Sequence, residues 1–179
     1  MELATHYLED ITSQLEKLKK LADDAIAQAS DEELFATIDA ESNSLAIIMR
    51  HIAGNLRSRF TDFLTTDGEK PGRHRDDEFE IPHGTSRESI VADWERGFNH
   101  LMVALQQLTP ADLLRDVYIR GERHTVLQAL NRAFGHLASH VGQIVFLAKH
   151  LRGSSWRTLS IPRGQSEQVK GIPGGQGQV

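Results

Sequence analysis

Apolar residues recur at alternating spacings of three and four along four stretches of the chain, a periodicity typical of helices that bury one face. In the first stretch they are Ala4, Leu8, Ile11, Leu15, Leu18, Ala22 and Ala25. The fourth stretch has the register Val126, Leu130, Ala133, Leu137, His140, Ile144, Leu147 and Leu151. The pattern predicts an all-α protein, a four-helix bundle whose helices span about residues 2–28, 43–66, 85–109 and 125–152.

Local signals mark the ends of the third and fourth helices. Thr85 and Glu88 have the spacing of a capping box, in which each side chain bonds the other residue's backbone N–H. Thr125 and Gln128 repeat that spacing before the fourth helix, and Gly153 follows its last apolar residue. We therefore expect the third helix to open at Thr85 and the fourth to open at Thr125.

The connection between the second and third helices, about residues 67–84, is long and polar. Neighbouring helices of a bundle usually have short connections, so we expect this one to cross over the bundle. Residues 117–120 predict a short extended piece before a turn at Gly121. The helices form one predicted domain, residues 1–153. The polar, glycine-rich tail, residues 154–179, is expected to pack on the bundle or on a partner subunit.

Composition excludes several classes of function. None of the 179 residues is cysteine, which excludes disulfides, thiolate metal sites and a cysteine nucleophile. The formal net charge is −5 and no basic segment dominates, so nothing favours nucleic acid as a partner. No stretch approaches the roughly 18 apolar residues of a membrane span, and no signal peptide follows Glu2. We expect a cytoplasmic protein that does not bind membranes.

Two histidines of the fourth helix form a candidate metal site. His140 lies in the aliphatic register, where an unpartnered polar group costs on the order of 1–3 kcal/mol. His136 lies one turn earlier on the same face, so both imidazoles can reach one ion. Gly135 and Ser139 are small enough to leave a pocket beside them. Without a metal, one histidine would bond a backbone carbonyl and the other would face solvent.

A third ligand has to come from another helix, and His51 in the second helix is the candidate. It belongs to a polar stripe beside the apolar one, which includes Ser44, Asn55, Ser58 and Asp62. Such a stripe is typical of a water-containing pocket, and equally typical of a solvated helix face.

Several separated segments of the chain match one known pattern. They are His51-Ile52-Ala53-Gly54-Asn55-Leu56-Arg57-Ser58-Arg59-Phe60, residues 61–70, Ile119-Arg120-Gly121-Glu122, His140-Val141-Gly142-Gln143-Ile144 and Leu159-Ser160-Ile161-Pro162-Arg163-Gly164-Gln165-Ser166. Together these segments resemble the DinB-like (YfiT-like) superfamily of metal-dependent proteins, and one bacterial subgroup within it. The resemblance covers nearly the whole chain.

The resemblance implies a bundle with a long connection between helices two and three, and it implies frequent homodimers. It also implies a three-histidine site for nickel, zinc or a similar divalent ion, which matches His51, His136 and His140. Activities known in other subgroups are thiol-dependent transfers and an isomerisation. Because this chain has no cysteine, any thiol would be a low-molecular-weight cosubstrate.

A metal-dependent enzyme that acts on a small molecule, of the thiol S-transferase or hydrolase type, is one hypothesis. An ion held by three neutral imidazoles keeps its charge and can lower the pKa of bound water or thiol. Asn55 and Gln143 are candidates for orienting a ligand. Arg57, Arg120 and Glu122 are candidates for binding a charged substrate, or are ordinary surface residues. A non-catalytic metal-binding or stress-related protein and a metal-free bundle are the alternatives.

Overall fold

The structure is a computed structural model that describes residues 2–169, and most of these residues are helical. Within that range, none of the helices is both long and apolar enough to span a bilayer. Three short 3-10 turns lie at Asp76–Phe79, Pro110–Asp112 and Gly153–Ser155. The regular elements are α1 (Glu2–Ile26), α2 (Asp31–Phe35), α3 (Leu45–Phe60), α4 (Arg87–Gln107), β1 (Asp116–Ile119), β2 (Glu122–Thr125), α5 (Val126–Arg152) and α6 (Ser166–Val169). The mostly helical class predicted from periodicity is confirmed.

One hydrophobic core lies among the four long helices. α3 packs most extensively on α4, α1 packs most extensively on α5, and α3 also contacts α5. The predicted apolar stripes face inward: Leu15, Trp94 and Leu137 are almost completely buried. α3 and α4 approach closely because Gly97 has no side chain, since a Cβ there would lie 2.6 Å from the Cα of Ala53.

The start of α5 is as predicted, whereas the start of α4 is shifted by one residue. Thr125 caps α5 in a capping box with Gln128. The cap of α4 is Ser86, whose side chain accepts from the N–H of Ser89. The prediction of Thr85 was therefore wrong, because the Thr85 hydroxyl instead donates to the carbonyl of Pro82 at 2.6 Å.

α3 ends at Phe60, several residues before the predicted end near residue 66. The hydroxyl and backbone N–H of Thr61 both donate to the carbonyl of Arg57, which closes the last turn. Asp62 then adopts a positive φ of 48°, which turns the chain away from the helix axis. The backbone N–H groups of Thr65 and Thr66 donate to the Asp62 carbonyl and hold this turn.

Three of the regular elements were not predicted from the sequence, namely α2, β2 and the short α6. α2 has a capping box between Ser30 and Glu33, a spacing that is visible in the sequence. The predicted extended piece is β1, and it pairs antiparallel with β2 to form a hairpin. Arg120 and Gly121, both at positive φ, form the tight turn of that hairpin.

The first part of the predicted tail packs against its own chain. Trp156 and Leu159 are partly buried against the core. The backbone of Arg157 bonds the side chain of Gln28 in both directions, since its N–H donates at 2.8 Å and its carbonyl accepts at 3.1 Å. Residues 170–179, the last part of the predicted tail, lie outside the described residues.

Candidate metal centre

Three histidines from two helices converge at one place in the structure. α3 supplies His51, and α5 supplies His136 and His140 from successive turns. One nitrogen from each ring lies within 4.8 Å of the other two, and the Nε2 atoms of His51 and His136 are 3.2 Å apart. In the described part of the chain, no other group of three or more potential ligands is as close together.

Hydrogen bonds at the opposite ring nitrogens orient two of these histidines. His51 Nδ1 donates to Oε2 of Glu78 at 2.9 Å. His140 Nδ1 donates to Oε1 of Gln143 at 2.8 Å. Because each Nδ1 carries the proton, the lone pair of each neutral ring is on Nε2. Partners of this kind on the outer nitrogen are common among metal-ligating histidines.

Burial and neighbouring groups keep His136 and His140 in the protonation state that metal binding requires. Burial is the main cause that lowers the pKa of His136 to about 4, and electrostatic repulsion between its protonated form and His140, His51, Arg73 and Arg59 adds to it. Burial also lowers the pKa of His140, although the hydrogen bond that His140 donates to Gln143 opposes this shift. Both rings are therefore neutral at pH 7, and neutral imidazole is the form that binds metal.

The donor set fits a divalent transition metal, and so does the spacing of one pair of its nitrogen atoms. Imidazole nitrogen suits zinc, nickel, copper and iron. Two nitrogens that share one tetrahedral zinc, each about 2.05 Å from it, are about 3.3 Å apart. The 3.2 Å between His51 Nε2 and His136 Nε2 matches this value. The cluster is thus a group of three histidines that can hold a metal ion.

The cluster lies in the wall of a cavity of about 600 Å³. This volume is in the range of sites for small molecules. His51 is 4 % exposed, while His136 and His140 are partly exposed towards the cavity. The other side chains that line it are aromatic and aliphatic groups, asparagines and arginines: Asn55, Arg59, Phe60, Phe63, Arg73, Arg75, Phe79, Tyr118, Ile119, Arg120, Ala129, Asn131, Arg132 and Ala133.

Residues 2–165 match the model of a family described as a protein of unknown function, DUF1572. The chain belongs to this family. No curated protein matches the sequence. The matched region of this DUF1572 chain includes the four long helices, the hairpin and every residue of the histidine cluster.

The structure brings some of the predicted accessory residues to the cluster and leaves others away from it. Asn55 and Arg120 line the cavity, and Gln143 contacts His140. Arg57 is exposed and lines a separate small cavity beside Asp93. Glu122 is exposed on β2 and is not part of the cavity wall.

The polar residues of the α3 stripe make three different kinds of contact, and only one of these concerns the cavity. Ser44 caps the helix. His51 and Asn55 line the cavity. Ser58 binds the crossover, since its hydroxyl donates to the carbonyl of Gly68 at 2.8 Å and accepts from the N–H of Lys70 at 3.1 Å.

Glu78 and Arg73 are the site residues that sequence reasoning missed. Glu78 is 8 % exposed and receives two hydrogen bonds from Arg73, Nε to Oε1 at 2.8 Å and Nη2 to Oε2 at 2.9 Å. Burial alone would raise the pKa of Glu78, but the bonds from His51 and Arg73 outweigh it and hold the pKa below its usual value. Glu78 is therefore an ionised acceptor behind His51.

The crossover is held to the hairpin by further carboxylates. Glu69 accepts from Arg59 and Arg120, each at 2.9 Å to Oε2. Asp67 accepts from the backbone N–H groups of Arg120 and Gly121 at the hairpin turn. These bonds fix the crossover and the hairpin together as one wall of the cavity.

Gly54 is the one signal in the sequence that could have indicated the buried carboxylate. It lies in the interior of α3, where glycine is unfavourable. A Cβ at this position would overlap the carboxylate of Glu78. The glycine therefore marks the close approach of the crossover to α3, three residues after His51.

Proposed function

We propose that this protein is a divalent-metal-dependent enzyme that acts on a small molecule, and that its four long helices form a bundle of the DinB-like type. The observation that supports the proposal best is the position of His51, His136 and His140 in the wall of the 600 Å³ cavity. Among the described residues, the cavity beside the cluster is large enough for a small-molecule substrate.

The number of ligands favours a catalytic metal over a structural one. Structural zinc sites have four protein ligands, while catalytic sites have three and keep a position open. The helices also bury an extensive apolar core away from the cluster, so the fold has a source of stability other than a metal.

Nickel or zinc is the proposed ion, held by the Nε2 atoms of the three histidines. When bound, such an ion would supply positive charge that lowers the pKa of water or a thiol beside it. Glu78 holds the ring of His51, and Gln143 holds the ring of His140. Asn55 presents its amide to the cavity next to His51 and is proposed to orient a substrate.

The reaction class is proposed to be thiol S-transfer or hydrolysis. This part of the proposal depends on the resemblance to the DinB-like superfamily. The absence of cysteine from the chain means that a thiol would enter as a low-molecular-weight cosubstrate. A homodimer is proposed on the same resemblance.

A metal-free protein is the second candidate, and one observation favours it. The 3.2 Å separation of His51 Nε2 and His136 Nε2 also suits a direct hydrogen bond in which His136 donates. A non-catalytic metal-binding protein would retain the ion and lack turnover. Metal analysis distinguishes the metal-free protein from the two metal-binding candidates. Measured turnover then distinguishes the enzyme from the non-catalytic metal-binding protein.

The proposed activity is tested by turnover of a small electrophile with and without a low-molecular-weight thiol. We expect turnover that disappears after chelation, returns with added zinc or nickel, and is absent in His140→Ala. His150→Ala is the matched control, because His150 is exposed on the same helix and outside the cavity. Turnover that is indifferent to chelation would contradict a metal mechanism.

A further inference from the structure

Among the described residues, five arginines line the cavity and no carboxylate does. This is unexpected in a chain whose formal net charge is −5. The arginines come from four parts of the fold: Arg59 from α3, Arg73 and Arg75 from the crossover, Arg120 from the hairpin turn and Arg132 from α5. Their partners decide how much of this positive charge is available to a ligand.

Three of the five arginines are neutralised in large part by two carboxylates behind the cavity wall. Arg59 and Arg120 bond Glu69. Arg73 forms a two-bond pair with Glu78 and also contacts Glu69. These guanidinium groups are held in the wall by their carboxylate partners.

Arg75 and Arg132 are not neutralised in this way. Arg132 is exposed, and no acidic or hydrogen-bonding partner contacts its side chain in the described part of the chain. Arg75 lies 3.7 Å from Asp76, a carboxylate that is 99 % exposed to solvent. Such an exposed pair at that distance contributes little.

Arg75 and Arg132 both lie close to the histidine cluster. Arg132 precedes His136 by four residues on α5, so the two side chains lie on the same helix face. The guanidinium of Arg75 lies 4.7 Å from the ring centre of Phe79, and that ring contacts His51. The positive charge of Arg75 also contributes to the lowered pKa of His140.

We infer that the cavity binds an organic anion, a molecule that combines a carboxylate or phosphate group with an apolar body. Arg132 and Arg75 bind the anionic group, since guanidinium donates two parallel hydrogen bonds to either kind of oxyanion. Phe60, Phe63 and Ile119 provide the apolar surface for the rest of the molecule. This inference names the substrate class of the proposed function and rests on the same cavity.

Binding of four small probes, measured by calorimetry, tests the inference. Benzylphosphonate and phenylacetate carry the two anionic groups on one apolar body, and benzyl alcohol is the neutral counterpart. We expect both anions to bind at least tenfold more tightly than the alcohol, and the tighter anion identifies the preferred group. Inorganic phosphate should bind more weakly than benzylphosphonate because it lacks the apolar body.

Substitutions of single arginines show where the anion binds. Arg132→Gln should weaken binding of the preferred anion roughly tenfold, with partial recovery in Arg132→Lys. Arg96→Gln is the control, since Arg96 is an exposed arginine on α4 away from the cavity, and it should bind as the unchanged protein does. Equal affinities in Arg132→Gln and Arg96→Gln, or equal binding of the anions and the alcohol, would overturn the inference.

The titrations are repeated after chelation, which separates this inference from the proposed metal. Anion binding that depends on Arg132 and persists without metal supports the inference even if the metal proposal fails. Anion binding that needs metal but is unaffected in Arg132→Gln would mean that the metal alone holds the anion, and would overturn the role of the arginines.

Discussion

The carboxylate of Glu78 accepts a hydrogen bond from His51 at 2.9 Å, although the two residues are 27 positions apart in the chain. This bond fixes the orientation of the ring and leaves Nε2 facing the other two histidines. Arg73 holds Glu78 in turn through two hydrogen bonds.

Glu78→Gln should weaken metal binding roughly 10- to 100-fold, because the ring of His51 loses its charged acceptor. Competition with a chromophoric chelator measures the affinity. Glu80→Gln is the control, since Glu80 is exposed in the same segment and should leave the affinity unchanged. Equal affinities in the two variants would contradict a role of Glu78 in holding His51.

Gly54→Ala should lower both stability and metal affinity, because a Cβ at this position would overlap Glu78. Helix propensity alone predicts the opposite, a gain of about 0.5–1 kcal/mol. Gly142→Ala should show that gain, since a Cβ there meets no atom within 4 Å. Denaturant unfolding compares the two variants, and a gain in Gly54→Ala would show that the crossover does not lie against α3 as described.

The metal-free protein should lose stability as the pH falls from about 6.5 to about 4. Because burial lowers the pKa of His136 to about 4, the unfolded chain binds a proton in this window and the folded chain does not. The free energy of unfolding is measured in the presence of a chelator at the two pH values that bound this window. His136→Asn lacks this contribution and should lose less stability than the unchanged protein, so equal losses would exclude a buried, neutral His136.

Ser86→Ala should lower the free energy of unfolding by about 1 kcal/mol, because it removes the cap of α4. Thr85→Ala should cost less, since the Thr85 hydroxyl bonds the carbonyl of Pro82 and does not cap the helix. Chemical denaturation of the two variants measures both costs. A larger loss of stability in Thr85→Ala than in Ser86→Ala would mean that Thr85, and not Ser86, caps α4.

The sequence predicted those parts of the molecule that depend on local spacing. Thr125 and Gln128, the two residues of the capping box, are three positions apart in the chain. His136 and His140 are four positions apart and therefore lie on the same face of the helix. Thr85 and Ser86 are adjacent hydroxyl residues with polar residues three positions later, so local spacing does not distinguish between them.

Hydrophobic periodicity could not predict contacts between residues that are far apart in the chain. Glu78 appeared as one of many charges in a polar connection, and its burial results from packing of that connection on α3. Arg57 and Arg120 looked alike in the sequence. Only Arg120 lines the cavity, because Asp67 and Glu69 bind the hairpin turn that presents it.

The central claim, that His51, His136 and His140 hold one divalent ion, is tested most directly by elemental analysis of protein purified without chelator. We expect about one nickel or zinc ion per chain, and none in His140→Ala, while His150→Ala keeps the ion. A metal content that is unchanged in His140→Ala, or protein that takes up no divalent metal even after incubation with zinc and nickel, would contradict the claim.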